Sequence, residues 1–419
     1  MRKTFKIYFN RIRKQLWFRP LLFCLFSVAG ALVAHQADGF GFSDLVPDID
    51  KESIGGLLDT ISATMLVISI FAVTSMLSAF SLASSTATPR SFKIIVTDDV
   101  SQNALSIFIG AFIFSIVATI ALDNGYYGKT GRFILFLLTL LFFVVVILTF
   151  LWWVDRISRL GRMEQTIKQM EEVAGDSLST YIKNPYLKAL PSSGENHNGK
   201  AVYADTTGYV QHINLEVLQD FSEEQELQIQ LNCLPGNFVH NNYIVAYVNT
   251  DAGLEDDQIR DSINSAILIG QSRLFDEDPR FGLISLSEIA SRALSPGIND
   301  PGTAIQIIGS HERLFFLWHE AHEDSAENTV TYNRVAVPRI EMEDFFDDAF
   351  RPIARDGAAN IEVMLRLQKA FRAIATIKNA AIKEQAIKNS KEAFHRAENA
   401  MQYKPDLDSL EKQCLFRRE

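Results

Sequence analysis

Four uninterrupted apolar runs crowd the first 154 residues, and no other feature of the chain limits its fold as strongly. A bilayer core of roughly 30 Å takes about 20 apolar residues as a helix. Ala104–Leu122 carries no charge at all. Phe133–Val154 ends in the paired interfacial residues Trp152 and Trp153. Leu57–Ala83 carries only Asp59, near its start. Pro20–Ala37 is the shortest, preceded by Trp17 and Phe18 at headgroup level. These runs predict an α-helical membrane domain of four transmembrane helices over residues 1–154. No small-x-small cleavage site follows the first run, so it reads as an uncleaved anchor rather than a signal peptide.

Charge divides the chain at the same place. Residues 1–154 hold 12 basic and 9 acidic groups, and residues 155–419 hold 28 and 41. The acidic remainder argues against a nucleic-acid partner, which needs a clustered positive surface. Arg2, Lys3, Lys6, Arg11, Arg13, Lys14 and Arg19 precede the first run, while Asp38, Asp44, Asp48, Asp50 and Glu52 follow it. Arg156, Arg159 and Arg162 follow the last run. Positive-inside reasoning therefore puts both termini in the cytoplasm. Residues 1–19 also interleave bases with Phe5, Ile7, Phe9 and Ile12, a pattern that suits an interfacial helix or an ordinary basic flank. Cys24, Cys233 and Cys414 are too dispersed for a zinc cage or redox pair and fit reduced thiols.

The spans differ in kind. Twelve Ser/Thr residues lie between Thr60 and Thr88, against two, Thr139 and Thr149, in the last span. Hydroxyls gain nothing from lipid, so the second span is expected in the interior and the fourth against lipid. Ser75, Ser78, Ser81 and Ser85 share one helical face, which either packs on another helix or lines a wet path. No acid or base lies deep in a span, which speaks against proton relays.

Beyond the membrane, residues 155–199 read as an amphipathic helix on Leu160, Met163, Ile167, Met170 and Ala174, followed by a linker. Residues 200–250 alternate with period two around turn residues and read as a small β-barrel or sandwich, with a short helix over Asn214–Glu223. The run GYVQHI…LPGNFVHNNYIVAYV resembles half of a biotinyl/lipoyl-type barrel-sandwich, without a lysine at a hairpin tip. Residues 251–419 are mainly helical, which makes this half a cytoplasmic α+β domain with a helical C-terminal part. Helices are expected over Gly253–Phe275, over Leu286–Leu294 with a Ser285/Glu288 capping box, and from Asp300-Pro301 onward. Residues Thr329–Val337 read as a strand, and Met342–Met401 as helix broken at Gly357, with Val363, Leu367, Phe371 and Ile374 inward.

The densest polar grouping runs from Gly270 to Ala304. With Asp278-Pro279-Arg280-Phe281-Gly282-Leu283, Ala293-Leu294-Ser295-Pro296-Gly297-Ile298-Asn299-Asp300-Pro301 and Thr303-Ala304, it resembles the domain of unknown function 2254 family of bacterial predicted membrane proteins. Ser81–Arg90 resembles that family's run after the second span, departing at Thr86-Ala87-Thr88. The resemblance implies a four-helix membrane part before a cytoplasmic domain and lends no activity.

Capping and turn formation account for most residue types in this motif. The sharper alternative is a small anionic ligand at the helix amides, with Arg273, Arg280, Arg292, Ser295, Asn299, Asp300 and Thr303 around it. His319-Glu320-Ala321-His322 has i,i+3 histidines rather than the HExxH spacing, so even with His311 it reads as a solvated helix end. No nucleophile elbow or phosphate-binding loop is present. No catalytic residue, metal or cofactor is expected, and the chain does not read as an enzyme. It reads as a homo-oligomeric channel-like or permeation protein in the lipid bilayer. The rival is a membrane-anchored sensor or scaffold whose cytoplasmic domain binds an anion or a protein.

Overall fold

A computed structural model describes residues 17–36, 46–86, 99–159, 162–192, 199–249, 255–324 and 330–415. The basic segment 1–16, most of the Ser81–Arg90 run beyond Thr86, and residues 193–198 of the linker lie outside the described residues. The chain divides into two compact units, residues 1–166 and 167–419.

The first unit is built from α1 (Phe18–Gln36), α2 (Lys51–Thr86), α3 (Asp99–Asp123) and α4 (Lys129–Arg159). α2, α3 and α4 are long and apolar enough to cross a membrane, whereas the apolar stretch of α1, Phe18–Val33, is shorter. α3, not α2, is the interior helix, and it packs against α1, α2 and α4. Half of its apolar window is buried, against 28% for α2 and 17% for α4. The reason lies in side-chain size. Ala104, Ala111 and Ala118 let neighbouring backbones approach α3, while Phe108 and Phe114 fill the remaining space. Phe114 stacks on Phe142 of α4 at 4.4 Å, and Phe108 meets Trp153 edge-on at 6.1 Å.

α2 buries Ile54, Leu58, Ile61, Met65, Ala72 and Met76 and turns its hydroxyl-rich face outward. That face tolerates exposure because its hydroxyls close onto their own helix. Thr60 donates to the Gly56 carbonyl (2.7 Å), Thr64 to Thr60 (2.7 Å) and Thr74 to Ile70 (2.9 Å).

α5 (Met163–Lys183) leads into the second unit; its Ile167, Met170 and Ala174 are buried as their spacing predicts, Met163 is half-buried, Leu160 lies outside the described residues, and Leu178 extends the buried face. Two sheets follow. The larger has strand order β1-β8-β4-β6-β2, from β1 (Ala189–Pro191), β2 (Lys200–Tyr203), β4 (Gln228–Leu231), β6 (Ile244–Asn249) and β8 (Tyr332–Val337). The smaller has order β5-β3-β7, from β3 (Gly208–Ile213), β5 (Phe238–Val239) and β7 (Ile267–Gly270). The strands expected within 200–250 thus fall into two small sheets around one core, each completed by strands from outside that range. β8 pairs in parallel with both β1 and β4, and a parallel pair needs a long crossover that no local alternation announces. Period two still sets each face. Ile229, Leu231, Val335 and Val337 point into the core, with α6 (Leu215–Glu224) and α7 (Asp256–Ala266) against it.

The helix expected over Gly253–Phe275 ends at Ala266 and gives way to β7. The remaining helices are α8 (Pro279–Ala293), α9 (Pro301–Asp324), α10 (Met342–Asp356), α11 (Ile361–Ile374), α12 (Ala380–Ala400) and α13 (Lys404–Glu411). Gly357 ends α10 as expected, but the chain breaks again after Ile374, and Asn379 caps α12. Phe315, Phe345, Phe346, Phe350 and Phe371 form an aromatic centre, with Val363, Leu367 and Ile374 facing it from α11.

Candidate functional site

The Gly270–Ala304 motif is two structures joined by α8. At the N-terminal end, α8 starts at Pro279 rather than at the Ser285/Glu288 spacing. Asp278, 2% exposed, is the cap and accepts from the amides of Arg280 (3.1 Å) and Phe281 (3.2 Å). Its carboxylate also takes two bonds from Arg273, Nε at 2.6 Å and Nη2 at 2.9 Å. The Arg273 guanidinium lies 5.3 Å from the centre of the Phe281 ring, which stacks on Phe275 at 4.3 Å. Arg280 reaches across to Asp348 of α10 at 2.6 Å and Asp344 at 3.2 Å. Burial works against its charge, but the hydrogen bond and charge of Asp348 prevail and hold the guanidinium above its ordinary pKa. Gly282 meets α5 so closely that a β-carbon there would lie 2.3 Å from the Ala174 β-carbon.

At the other end, Ser295 closes onto the Arg292 carbonyl (2.6 Å) and Asn299 adopts the left-handed conformation at φ 51°. Asp300 caps α9 as its sequence predicts. It accepts from the Thr303 amide (3.1 Å) and hydroxyl (2.6 Å), and these bonds hold its carboxyl below the usual range. Residues 296–300 are exposed.

The seven anion candidates therefore do not converge. Arg273 and Arg280 engage internal carboxylates at one end of α8. Arg292, Ser295, Asn299, Asp300 and Thr303 lie at the other end, about 20 Å away along a 15-residue helix. On α2, Ser75 is half-buried and Ser78 and Ser81 are exposed, while the Ser85 side chain lies outside the described residues.

One buried grouping carries no motif in the sequence. His311 and Ser287 are both fully buried, with His311 Nε2 3.0 Å from Ser287 Oγ. The Ser287 hydroxyl donates to the Ala349 carbonyl at 2.8 Å. A hydroxyl has one proton, so Nε2 carries the ring hydrogen and Nδ1 faces the core without a partner. A histidine in that tautomer cannot take the serine proton, and the pair joins α8, α9 and α10 as a packing element. The spacing Ile307, Ile308, His311, Leu314, Phe315 is the one signal that places His311 on the apolar face of α9. His319 is exposed on that helix, and the His322 side chain lies outside the described residues. Among the described residues no cluster of three or more His, Cys, Asp or Glu could hold a metal. Near His311, Arg313 grips Glu171 of α5 at 2.6 and 2.7 Å.

Burial pushes the His311 imidazole down from 6.5 to about 3. The native protein therefore declines a proton that the unfolded chain accepts, and stability falls as pH drops below 6.5. Between pH 7 and pH 5 this histidine should remove about 2 kcal/mol. Urea midpoints at the two pH values should show that difference shrinking in His311→Gln. An unchanged difference would place the proton sensitivity elsewhere.

Long apolar helices followed by an α+β unit define a membrane protein with a folded region outside the apolar helices. The chain belongs to the DUF2254 family of predicted membrane proteins, whose sequence model matches residues 13–373. The uncharacterized protein MT1328 of Mycobacterium tuberculosis (strain CDC 1551) is 30% identical over 108 residues, 25% of this chain and 21% of its own. Uncharacterized protein Mb1321c of Mycobacterium bovis is 29% identical over 108 residues, with the same coverage. The matched stretch spans about a fifth of these relatives' length. No solved structure matches the chain.

Proposed function

We propose that the protein is a homo-oligomer of the bacterial inner membrane, both termini cytoplasmic, whose copies meet along α2 and enclose a permeation path controlled by the α+β unit. The outward face of α2 carries this reading. Thr60, Thr64, Val67, Phe71, Thr74, Ser78 and Ser81 are exposed, recur at four- and three-residue spacing, and face away from the buried Ile61–Met65–Ala72 side; five of the seven are hydroxylated. Small and hydroxylated residues at that spacing are what membrane helices use to approach one another closely. The same hydroxyls suit a wetted lining. The orientation rests on the basic flanks before α1 and after α4.

Cysteine cross-linking in native membranes tests the interface. With Cys24, Cys233 and Cys414 replaced, Ser78→Cys should give a disulfide-linked dimer on oxidation, whereas Leu148→Cys on α4 should not. Planar bilayers test the path. Conductance should appear with the parent protein and fall when a thiol reagent modifies Ser78→Cys. Dimers at both positions alike would defeat the α2 interface, and the absence of conductance with common ions would defeat permeation.

A further inference from the structure

Gly309 sits in the middle of α9, where glycine is a poor helix former. Packing does not require it. A β-carbon there would meet nothing nearer than 3.6 Å, and the two atoms at that distance are Arg313 Nη1 and Arg366 Nη2. Gly282, hard against Ala174, is the opposite case. The missing side chain at 309 keeps open a surface notch of about 420 Å³, walled by Glu312, Arg313, Phe316, Leu317 and Arg366.

Two guanidiniums from different helices thus stand equally far from one point. Each is steered by a carboxylate. Arg313 spends Nε and Nη2 on Glu171, which leaves Nη1 on the notch side. Arg366 gives the same Nη2 to Glu312 at 2.6 Å, so acid and base in the wall offset one another. The lining carries two bases and one acid, within residues 155–419 that hold 28 basic and 41 acidic groups. With Glu171 behind Arg313 the two bases and two acids offset, so an anion meets less repulsion at the notch than over the acidic remainder of the unit. Guanidinium forks match the oxygens of a phosphate, and Phe316 and Leu317 offer an apolar wall to whatever the phosphate is attached to.

We propose that the notch over Gly309 binds a phosphate monoester, its phosphate seated between Arg313 and Arg366 and its organic part against Phe316 and Leu317. Such a group reaches the notch on a soluble metabolite or as a lipid headgroup. The site does not depend on how the α2 faces associate.

Titration calorimetry on the full-length protein in detergent, with phenyl phosphate as probe, tests it. Saturable binding is expected, tighter than that of inorganic phosphate. Gly309→Asp places a carboxylate where the phosphate sits while improving helix propensity, and Arg366→Gln removes one fork. Each should weaken binding at least about tenfold, the loss expected for a charge-assisted hydrogen bond, while a cooperative melting transition in the absence of probe shows that each variant is folded. A parallel arm uses nanodiscs with and without phosphatidic acid. Saturation by phenyl phosphate assigns the soluble source, and competition by phosphatidic acid alone assigns the headgroup. No saturation with phenyl phosphate, inorganic phosphate or phosphatidic acid would overturn the site, as would undiminished binding in both variants.

Discussion

Asp278→Ala should destabilise the α+β unit by about 4 kcal/mol, the largest effect expected of any single polar substitution in the motif. One carboxylate does two tasks. It satisfies the first amides of α8, which a cap contributes at about 1 kcal/mol, and it neutralises Arg273, whose side chain is only 18% exposed. Removing it leaves a mostly buried guanidinium packed over Phe281 without its hydrogen-bonded carboxylate, and an uncompensated buried charge costs about 3–5 kcal/mol. Asp278→Asn separates the two. The amide oxygen still caps the helix while the charge is gone, so about three-quarters of the loss should remain. Urea unfolding in detergent, followed by tryptophan fluorescence, measures both. A loss under about 1 kcal/mol for Asp278→Ala would mean that Arg273 swings out to solvent and that the pair holds little.

Gly282→Leu should cost about 3 kcal/mol through overpacking. α5 and α8 cross with the Ala174 α-carbon 2.7 Å from where the first side-chain atom would go, so the helices must separate. Separation strains the neighbouring ties of α5 as well, Glu171 to Arg313 and the Tyr181 hydroxyl to the Ile340 amide (2.9 Å). Gly282→Ala should cost less, and Ala174→Gly should recover part of that loss, because contacting sites do not add independently. Differential scanning fluorimetry on the two single variants and the double variant decides this. Strict additivity would show that the contact is relieved elsewhere. Asp278 and Gly282 both lie within the motif that carries the family likeness, so in its first half that motif serves to seat α8 on its neighbours.

The likeness to the family is legible in Asp278–Leu283 and Ala293–Pro301 from the residues alone, and residues 13–373 match the family's sequence model. The caps divide instructively. Asp300-Pro301 starts α9 as its sequence predicts, because cap, proline and first turn are adjacent in the chain. Asp278 gives a weaker local signal than the Ser285/Glu288 spacing, since its second partner, Arg273, precedes it in a segment without periodicity. The seven anion candidates share chemistry and sequence proximity, and α8 holds them apart. The Gly309 notch leaves no sequence signal, since Arg313 and Arg366 are 53 positions apart.

What the amino-acid order determined by itself was local: that Leu57–Ala83, Ala104–Leu122 and Phe133–Val154 are apolar and long enough for a bilayer, that residues 200–250 alternate as strands, where α9 begins, and that Val363, Leu367, Phe371 and Ile374 share an inner face. These follow from interactions within a helical turn or a strand repeat, which a short window of sequence contains. Only the tertiary structure decided which membrane helix lies inside, that β8 crosses back beside β4, that His311 turns into the core, and that two arginines face one bare glycine. Each of those depends on side chains from distant segments competing for the same space. The winner is set by fit and by the charges it leaves satisfied, which no local pattern records.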